Sequence, residues 1–426
     1  MRISGAHSIQ RHFKGAKMKP ATRFRTLTNT YPAVRIAGMH WGRLIGAGLA
    51  CSVSGAYAGA ELKLNDDTSV NIGFGLRTSF TNATTSGGAG TSQANNFAVE
   101  NLRLYLSGSY GKYLKATFNT ERTGGAAAAG GDAVRVMDAI AQFEPYDSFN
   151  VWLGRMLPPT DRSNLDGPFY LVPWAYPGIA SNYPGLAVGR DNGATVWGKP
   201  FSGKVVYSVG AFNGHDRGAG LSNTGNSLLY AGRVAVNFLD AEPAPAYYTG
   251  SSYGGSKDIF TVALVGQTQK DGVGTTAAPG NLKIWNIDAL FEKKLGGGYV
   301  PTLEAAYYKY DTGGKADCGS GEPGAAVCPV ADNVGGQVAG KAWLAGASLL
   351  FPQMVGWGQF QPYVRYQRLN RDRSSTTLKG ADFGVNYLIK GPNAKISATY
   401  SKFDDSRLAV ASQTVKQFVL GVQFQY

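Results

Sequence analysis

Four histidines and three cysteines are the residues most able to do covalent or metal chemistry in this chain. His7, His12 and His40 all precede residue 58, which leaves His215 alone in a Gly-rich stretch. Nucleophile–base catalysis draws on a histidine held beside a Ser or Cys, so one isolated imidazole makes an enzyme the weaker reading. A structural zinc site takes four N or S ligands, more than one His and two Cys can supply. No catalytic residue, metal ligand or cofactor is therefore expected. Cys318 and Cys328 lack Cys-x-x-Cys spacing and flank a polar, Gly-rich stretch, so in an exported chain they are expected to form a disulfide. Gly130-Gly131 and Gly313-Gly314-Lys315 suggest a phosphate loop, but neither completes Gly-x-x-x-x-Gly-Lys-Ser/Thr.

The chemistry that remains is charge set at alternating positions. Basic candidates for an inward face are Arg77, Arg103, Lys115, Arg135, Arg155, Arg190, Arg233, Arg365 and Lys395. Acidic candidates facing them are Glu121, Asp138, Asp288, Glu304 and Asp382. Such groups act through their field, raising the local concentration of anions in a narrow, low-dielectric passage. The excess is modest, which predicts anion preference and not strict selectivity.

The elements that must position these charges begin after a leader. The chain carries 41 Lys and Arg against 28 Asp and Glu, a formal +13. Nine of those positive charges precede Glu61, and without them 32 basic residues face 28 acidic ones. The alkaline balance is thus no argument for a nucleic-acid partner. Residues 39–58 read as a signal peptide: Met39 to Arg43, an apolar stretch from Leu44 to Val53, then Ala56-Tyr57-Ala58. That stretch is about half the ~20 residues a spanning helix requires. Cys51 suggests a lipoprotein, yet Gly48 stands where a lipidation box has Leu. Residues 1–38 form a basic extension, with Met39 the better initiator, and residues 59–426 form the mature domain.

Period-two alternation then recurs along the chain, as in Val70, Ile72, Phe74 and Leu76, or Phe418, Leu420, Val422, Phe424 and Tyr426. One apolar and one polar face is the strand signature. About 16 such segments are expected, from 68–80 to 415–426, with a phase break at Met137 that predicts a bulge. Tight linkers such as Gly108 to Gly111 and Lys390 to Asn393 alternate with long ones such as Thr81–Asn96, Gly214–Ser227 and Thr312–Ala339. Leu239–Ser256 breaks that rule, being long on the short side. Aromatics gather near strand ends, among them Tyr110, Tyr146, Tyr299 and Trp357. The expected fold is all-β: a transmembrane antiparallel barrel with short periplasmic turns, long extracellular loops and an aqueous lumen. A soluble β-sandwich also alternates, but it rarely needs so many strands. The third loop, Leu157 to Asn192, combines six prolines with five aromatics, and exposed rings need something to pack against. It is expected to fold inward, placing Asp161, Arg162, Asp166, Arg190 and Asp191 near the constriction.

Several runs carry a family resemblance: Gly189-Arg-Asp-Asn-Gly193, Val209-Gly-Ala-Phe-Asn-Gly214, the Tyr247 to Ile259 segment, Leu303 to Asp311, and the closing strand. Over roughly residues 97 to 426 the chain resembles the phosphate-selective porin O and P family. The resemblance implies a 16-stranded barrel, commonly trimeric, with an inward third loop and a basic lumen for anions. The third loop here contains no Lys, a departure from strict phosphate selectivity.

The expected function is passive diffusion of small hydrophilic solutes, anions and phosphate among them, across a bacterial outer membrane. Outer-membrane lipid, a homotrimer, and assembly machinery reading the strand that ends in Tyr426 are the expected partners. An enzyme embedded in the barrel, or a non-conducting adhesive barrel, is the alternative.

Overall fold

The computed structural model describes residues 59–87, 90–123, 133–178, 189–215, 217, 220–317, 338–408 and 413–426. The expected leader and extension (1–58) and the expected Cys318–Cys328 disulfide lie outside them. The strands are β1 Ala60–Asn65, β2 Thr68–Gly87, β3 Gly90–Tyr110, β4 Leu114–Thr123, β5 Ala133–Tyr146 and β6 Phe149–Met156. A short helix, α1 Arg162–Asp166, precedes β7 Asp191–Gly198, β8 Val205–Phe212, β9 Leu229–Asn237, β10 Ile259–Thr275 and β11 Ala278–Glu292. The series ends with β12 Val300–Asp311, β13 Gly340–Leu350, β14 Gln359–Arg371, β15 Thr377–Leu388, β16 Ala394–Asp405 and β17 Thr414–Gln425.

Each strand from β2 onward pairs antiparallel with its sequence neighbours, and β17 pairs with β2 to close the barrel. The N-terminal and C-terminal strands share one stave. β1 pairs with Thr68 to Ile72 of β2, and β17 pairs with Gly75 to Ala83 of the same strand. Between them, Phe74 and Tyr426 exchange both backbone hydrogen bonds at 3.0 Å. Among the described residues, seventeen strands therefore make sixteen staves. The sixteen alternating segments all appear; β1 is the addition.

Alternation does what periodicity demands. In β11 the outward series Trp285 and Ile287 is exposed, while Ile284, Asn286 and Asp288 are buried inside. A closed sheet leaves no unpaired edge, so the backbone is satisfied within an apolar surround. The phase break in β5 is a bulge at Met137: Asn119 pairs with Asp138 and Thr120 with Val136. Met137 and Asp138 consequently both turn inward, at 1% and 3% exposure.

Two hairpins stand taller than expected. The linker placed at Thr81–Asn96 is strand almost throughout, with pairing continuing to Gly87 and Gly90. Asn82 donates to Asn95 at 2.7 Å there. Likewise β10 and β11 pair up to Thr275 and Ala278. Beyond the apolar band both faces meet water, so Thr, Ser and Asn satisfy a ladder that hydrophobic alternation no longer marks.

Candidate permeation path

The third loop enters the barrel from the long-loop end, and its landing points are polar side chains of the wall. Gln267 donates to the Pro159 carbonyl at 2.9 Å and Arg233 to that of Thr160 at 3.2 Å. Farther along, Gln423 donates to the Phe169 carbonyl (2.7 Å), Lys395 to Leu171 (2.8 Å) and Asn386 to Val172 (2.8 Å). The loop thus crosses from β9 and β10 to β15, β16 and β17. Its own apolar side chains, Leu165, Phe169, Leu171 and Trp174, are buried at 3% exposure or less. Wall glycines make the room: a Cβ at Gly75 would meet the Phe169 ring at 2.7 Å, and one at Gly421 the Trp174 indole at 2.5 Å.

A second insertion rises from the opposite end. The exceptional linker between β9 and β10 folds into the lumen beneath α1. Arg162 donates to both Glu242 carboxylate oxygens, at 2.6 and 2.8 Å, and to the Gly250 carbonyl at 3.0 Å. Its backbone N–H reaches Asp288 at 3.2 Å. Thr249 and Ser251 each donate to Asp166 at 2.5 Å, and the Tyr247 hydroxyl donates to the Leu157 carbonyl at 2.7 Å. Burial alone would raise the Glu242 carboxyl, but the Arg162 charge and its hydrogen bonds outweigh burial and hold it at about 2. Asp166 moves the other way: burial first, then the Glu304 charge, lifts it well above the usual carboxylate range.

Eight of the nine basic candidates face the lumen or its constriction, and most are matched by carboxylates. Arg103 pairs with Glu121, Lys115 with Glu144 at 2.6 Å, and Arg190 with Asp138 at 3.0 Å. Arg233 pairs with Asp288 at 2.5 Å and Arg365 with Asp382 at 2.8 Å. Arg135 stands opposite Glu121 across β4 and β5. Two cations differ. Arg77 donates to Asn101 at 2.9 Å and to the Trp174 carbonyl, its guanidinium 4.0 Å above the Trp174 ring, with Glu100 at 4.0 Å. Lys395, only 3% exposed, has no carboxylate partner among the described residues. Both sit opposite Gln423, one on β2 and one on β16.

The ninth, Arg155, corrects the expectation. It shares the outward series of Val151 and Leu153 on β6 and donates to the Val136 carbonyl at 3.2 Å. Of the constriction candidates, Asp161 accepts from Tyr308 at 3.1 Å and from Asn164 at 2.6 Å, beside Arg162 and Asp166. Asp191 is elsewhere: it opens β7 and accepts the Gly214 N–H at 2.6 Å. His215 follows Gly214, its backbone N–H bonded to Gln269 at 2.8 Å, and burial lowers its imidazole to about 4. The linker residues Glu242, Tyr247, Thr249 and Ser251 were not among the expected site residues.

Residues 336–426 match the family model for phosphate-selective porin O and P. The match covers β13 to β17, a narrower stretch than the resemblance drawn from the sequence. Solved structures agree over most of the chain. The anion-selective porin from Comamonas acidovorans is 15% identical, with a TM-score of 0.52, over 84% of this chain and 100% of that one. The fold is that of an outer-membrane porin. Salmonella typhi OmpF, in a complex with daunomycin, is 14% identical with a TM-score of 0.54, over 86% and 100%. The trimer form of OmpT from Vibrio cholerae is 11% identical with a TM-score of 0.50, over 85% and 100%. No curated protein matches the chain. The porin barrel accounts for the short turns, the inward loop and the polar inner face together.

Proposed function

We propose that this porin barrel is a passive diffusion channel of the bacterial outer membrane for small hydrophilic solutes, with a preference for anions, phosphate among them. The observation that carries the preference is Lys395, which stands opposite Gln423 with no carboxylate partner among the described residues, next to Arg77, whose carboxylate Glu100 is as far off as 4.0 Å. The other inward cations named above are matched by carboxylates, so their far fields largely cancel. Buried cations without such a match keep theirs, and in a low-dielectric passage that field attracts anions. Solutes move down their gradients, sieved by the crossing loop and sorted by this local charge. Selectivity stays a preference, because no Lys stands in the loop between 157 and 192.

The porin fold supports a channel with no enzymatic step. The likeness to a barrel solved in a trimer form supports a homotrimer. Tyr426, closing the barrel against Phe74, supports recognition of the final strand by assembly machinery. Reversal potentials in planar bilayers under a salt gradient test the reading: openings biased toward anions support it. Electrical silence of the inserted barrel, or phospholipid hydrolysis lost in His215→Ala, would replace it with an adhesive or enzymatic barrel.

A further inference from the structure

The outer wall carries a feature that permeation does not use. On the long-loop side, the outward series of six consecutive strands includes a basic residue near its end: Lys309, Lys341, Arg368, Lys379, Lys402 and Lys416, on β12 to β17. The register sets them face to face. Lys309 stands opposite Lys341, Arg368 opposite Lys379, and Lys402 opposite Lys416. Like charges directly opposite across a strand pair repel, and here three such pairs follow in succession. Local acids answer only part of this: Asp372 bonds Lys309 at 2.5 Å, and Asp404 lies 3.5 Å from Lys402. Lys341, Lys379 and Lys416 make no ion pair among the described residues, and all three are exposed.

Two residues nearer the barrel's middle, the same outward series carry rings. Tyr307 lies below Lys309, Trp343 below Lys341, Tyr366 below Arg368, Tyr400 below Lys402 and Phe418 below Lys416. The Trp343 and Tyr366 rings pack with centroids 5.1 Å apart. Aromatic belts sit at headgroup depth, which puts the cations at the height of lipid phosphates. The opposed pairs stop at β12: Lys283 on β11 and Lys270 on β10 are also outward and exposed on this side, but the register sets Lys283 against Thr268 and Asp311. Farther round lie β4 and β6. Arg122 and Arg155 there turn their guanidinium groups to the carbonyls of Val99 and Val136.

We propose that β12 to β17 form a docking surface for phosphorylated lipid headgroups of the leaflet on the long-loop side. The inference rests on the membrane-spanning reading above and adds to it the lipid class, the leaflet and the arc. Opposed side chains whose Cβ atoms are about 5 Å apart can both donate to one phosphate. An anion between each pair turns mutual repulsion into shared attraction.

The outward Trp285 and Trp343 report on this surface directly, since Trp152, Trp174 and Trp197 are buried. The exposed Trp357, in the short turn between β13 and β14, and Trp41 near the start of the chain are removed by working in a Trp41→Phe/Trp357→Phe background. The full chain is placed in phosphatidylcholine vesicles containing brominated phosphatidic acid or, at equal mole fraction, brominated phosphatidylcholine, and tryptophan quenching is compared. Phosphatidic acid should bind about five-fold tighter, the factor supplied by one basic residue near a surface. The preference should weaken with added salt in the unmodified row, vanish in Lys341→Gln/Lys379→Gln/Lys416→Gln, and return with Arg at those positions. Equal quenching by the two lipids overturns the proposal, as does a preference indifferent to salt. Loss of the preference to millimolar inorganic phosphate alone would make the row a free-anion site instead. Quenching by neither lipid would overturn the spanning reading itself, and conductance in the same vesicles separates that failure from the lipid proposal.

Discussion

Arg162 of the crossing loop and Glu242 of the β9–β10 linker meet in a two-pronged ion pair, at 2.6 and 2.8 Å, inside the barrel. The two segments enter from opposite ends, and each has polar backbone that the lumen must satisfy. Their junction does so: a guanidinium, a carboxylate and the hydroxyls of Thr249 and Ser251 replace water for both. This latch holds the loop across the passage.

Replacing Glu242 by Gln removes the charge that offsets buried Arg162. Asp288, already shared with Arg233, is the other carboxylate ion-paired with it. Breaking a buried pair by removing one partner costs about 3–5 kcal/mol. The expected outcome is a lower thermal unfolding midpoint and noisier single-channel openings, read by calorimetry and bilayer recording. Unchanged stability and noise would show that the pair does not hold the loop.

The pair also fixes a pH dependence. The Glu242 carboxyl is held at about 2 in the folded barrel, below the ~4.3 of a free glutamate. Its stabilisation is therefore fully present above about pH 4.3 and is lost as pH falls through 2. The stability difference between the unmodified chain and Glu242→Gln should be constant from pH 7 to 5 and shrink between pH 4 and 2. Unfolding midpoints measured across that range check it.

Gly421 on β17 makes room for Trp174, since a Cβ would meet the indole at 2.5 Å. Gly421→Leu should push the indole, and the loop with it, off the wall. Overpacking of this kind costs about 1–3 kcal/mol. The channel should change conductance, while a size-matched change at outward Ala398 should not.

The charge prediction separates two faces. Lys395→Glu puts an anion where an unmatched cation stood and should move the reversal potential toward cations. Arg155→Glu, on the outer face, should leave it where it was. Paired measurements in one salt gradient read both, and an equal shift in the two would contradict the assignment of faces.

The barrel wall was legible because its residues obey a two-residue period that burial on one side enforces. Met137 announced its bulge through the same rule. β1 does not announce itself because Ala60 to Asn65 alternate too briefly to stand out, and β1 finds room on β2 only because β17 ends against Phe74. Arg155 defeats the pattern because polarity does not by itself mean inwardness. At a rim, a long side chain can point outward and still find a carbonyl. The crossing loop betrayed itself by aromatics too numerous for an exposed loop. The linker that meets it was conspicuous in length, yet Arg162 and Glu242 are 80 positions apart, and only closure of the barrel brings them together.

The reversal potential of single channels in a planar bilayer, under an asymmetric potassium chloride gradient, tests the central claim most directly. The account predicts openings whose current reverses on the chloride side of zero and moves toward the potassium side in Lys395→Glu. A correctly folded, inserted barrel that passes no current, or one that reverses on the potassium side before any substitution, would contradict it.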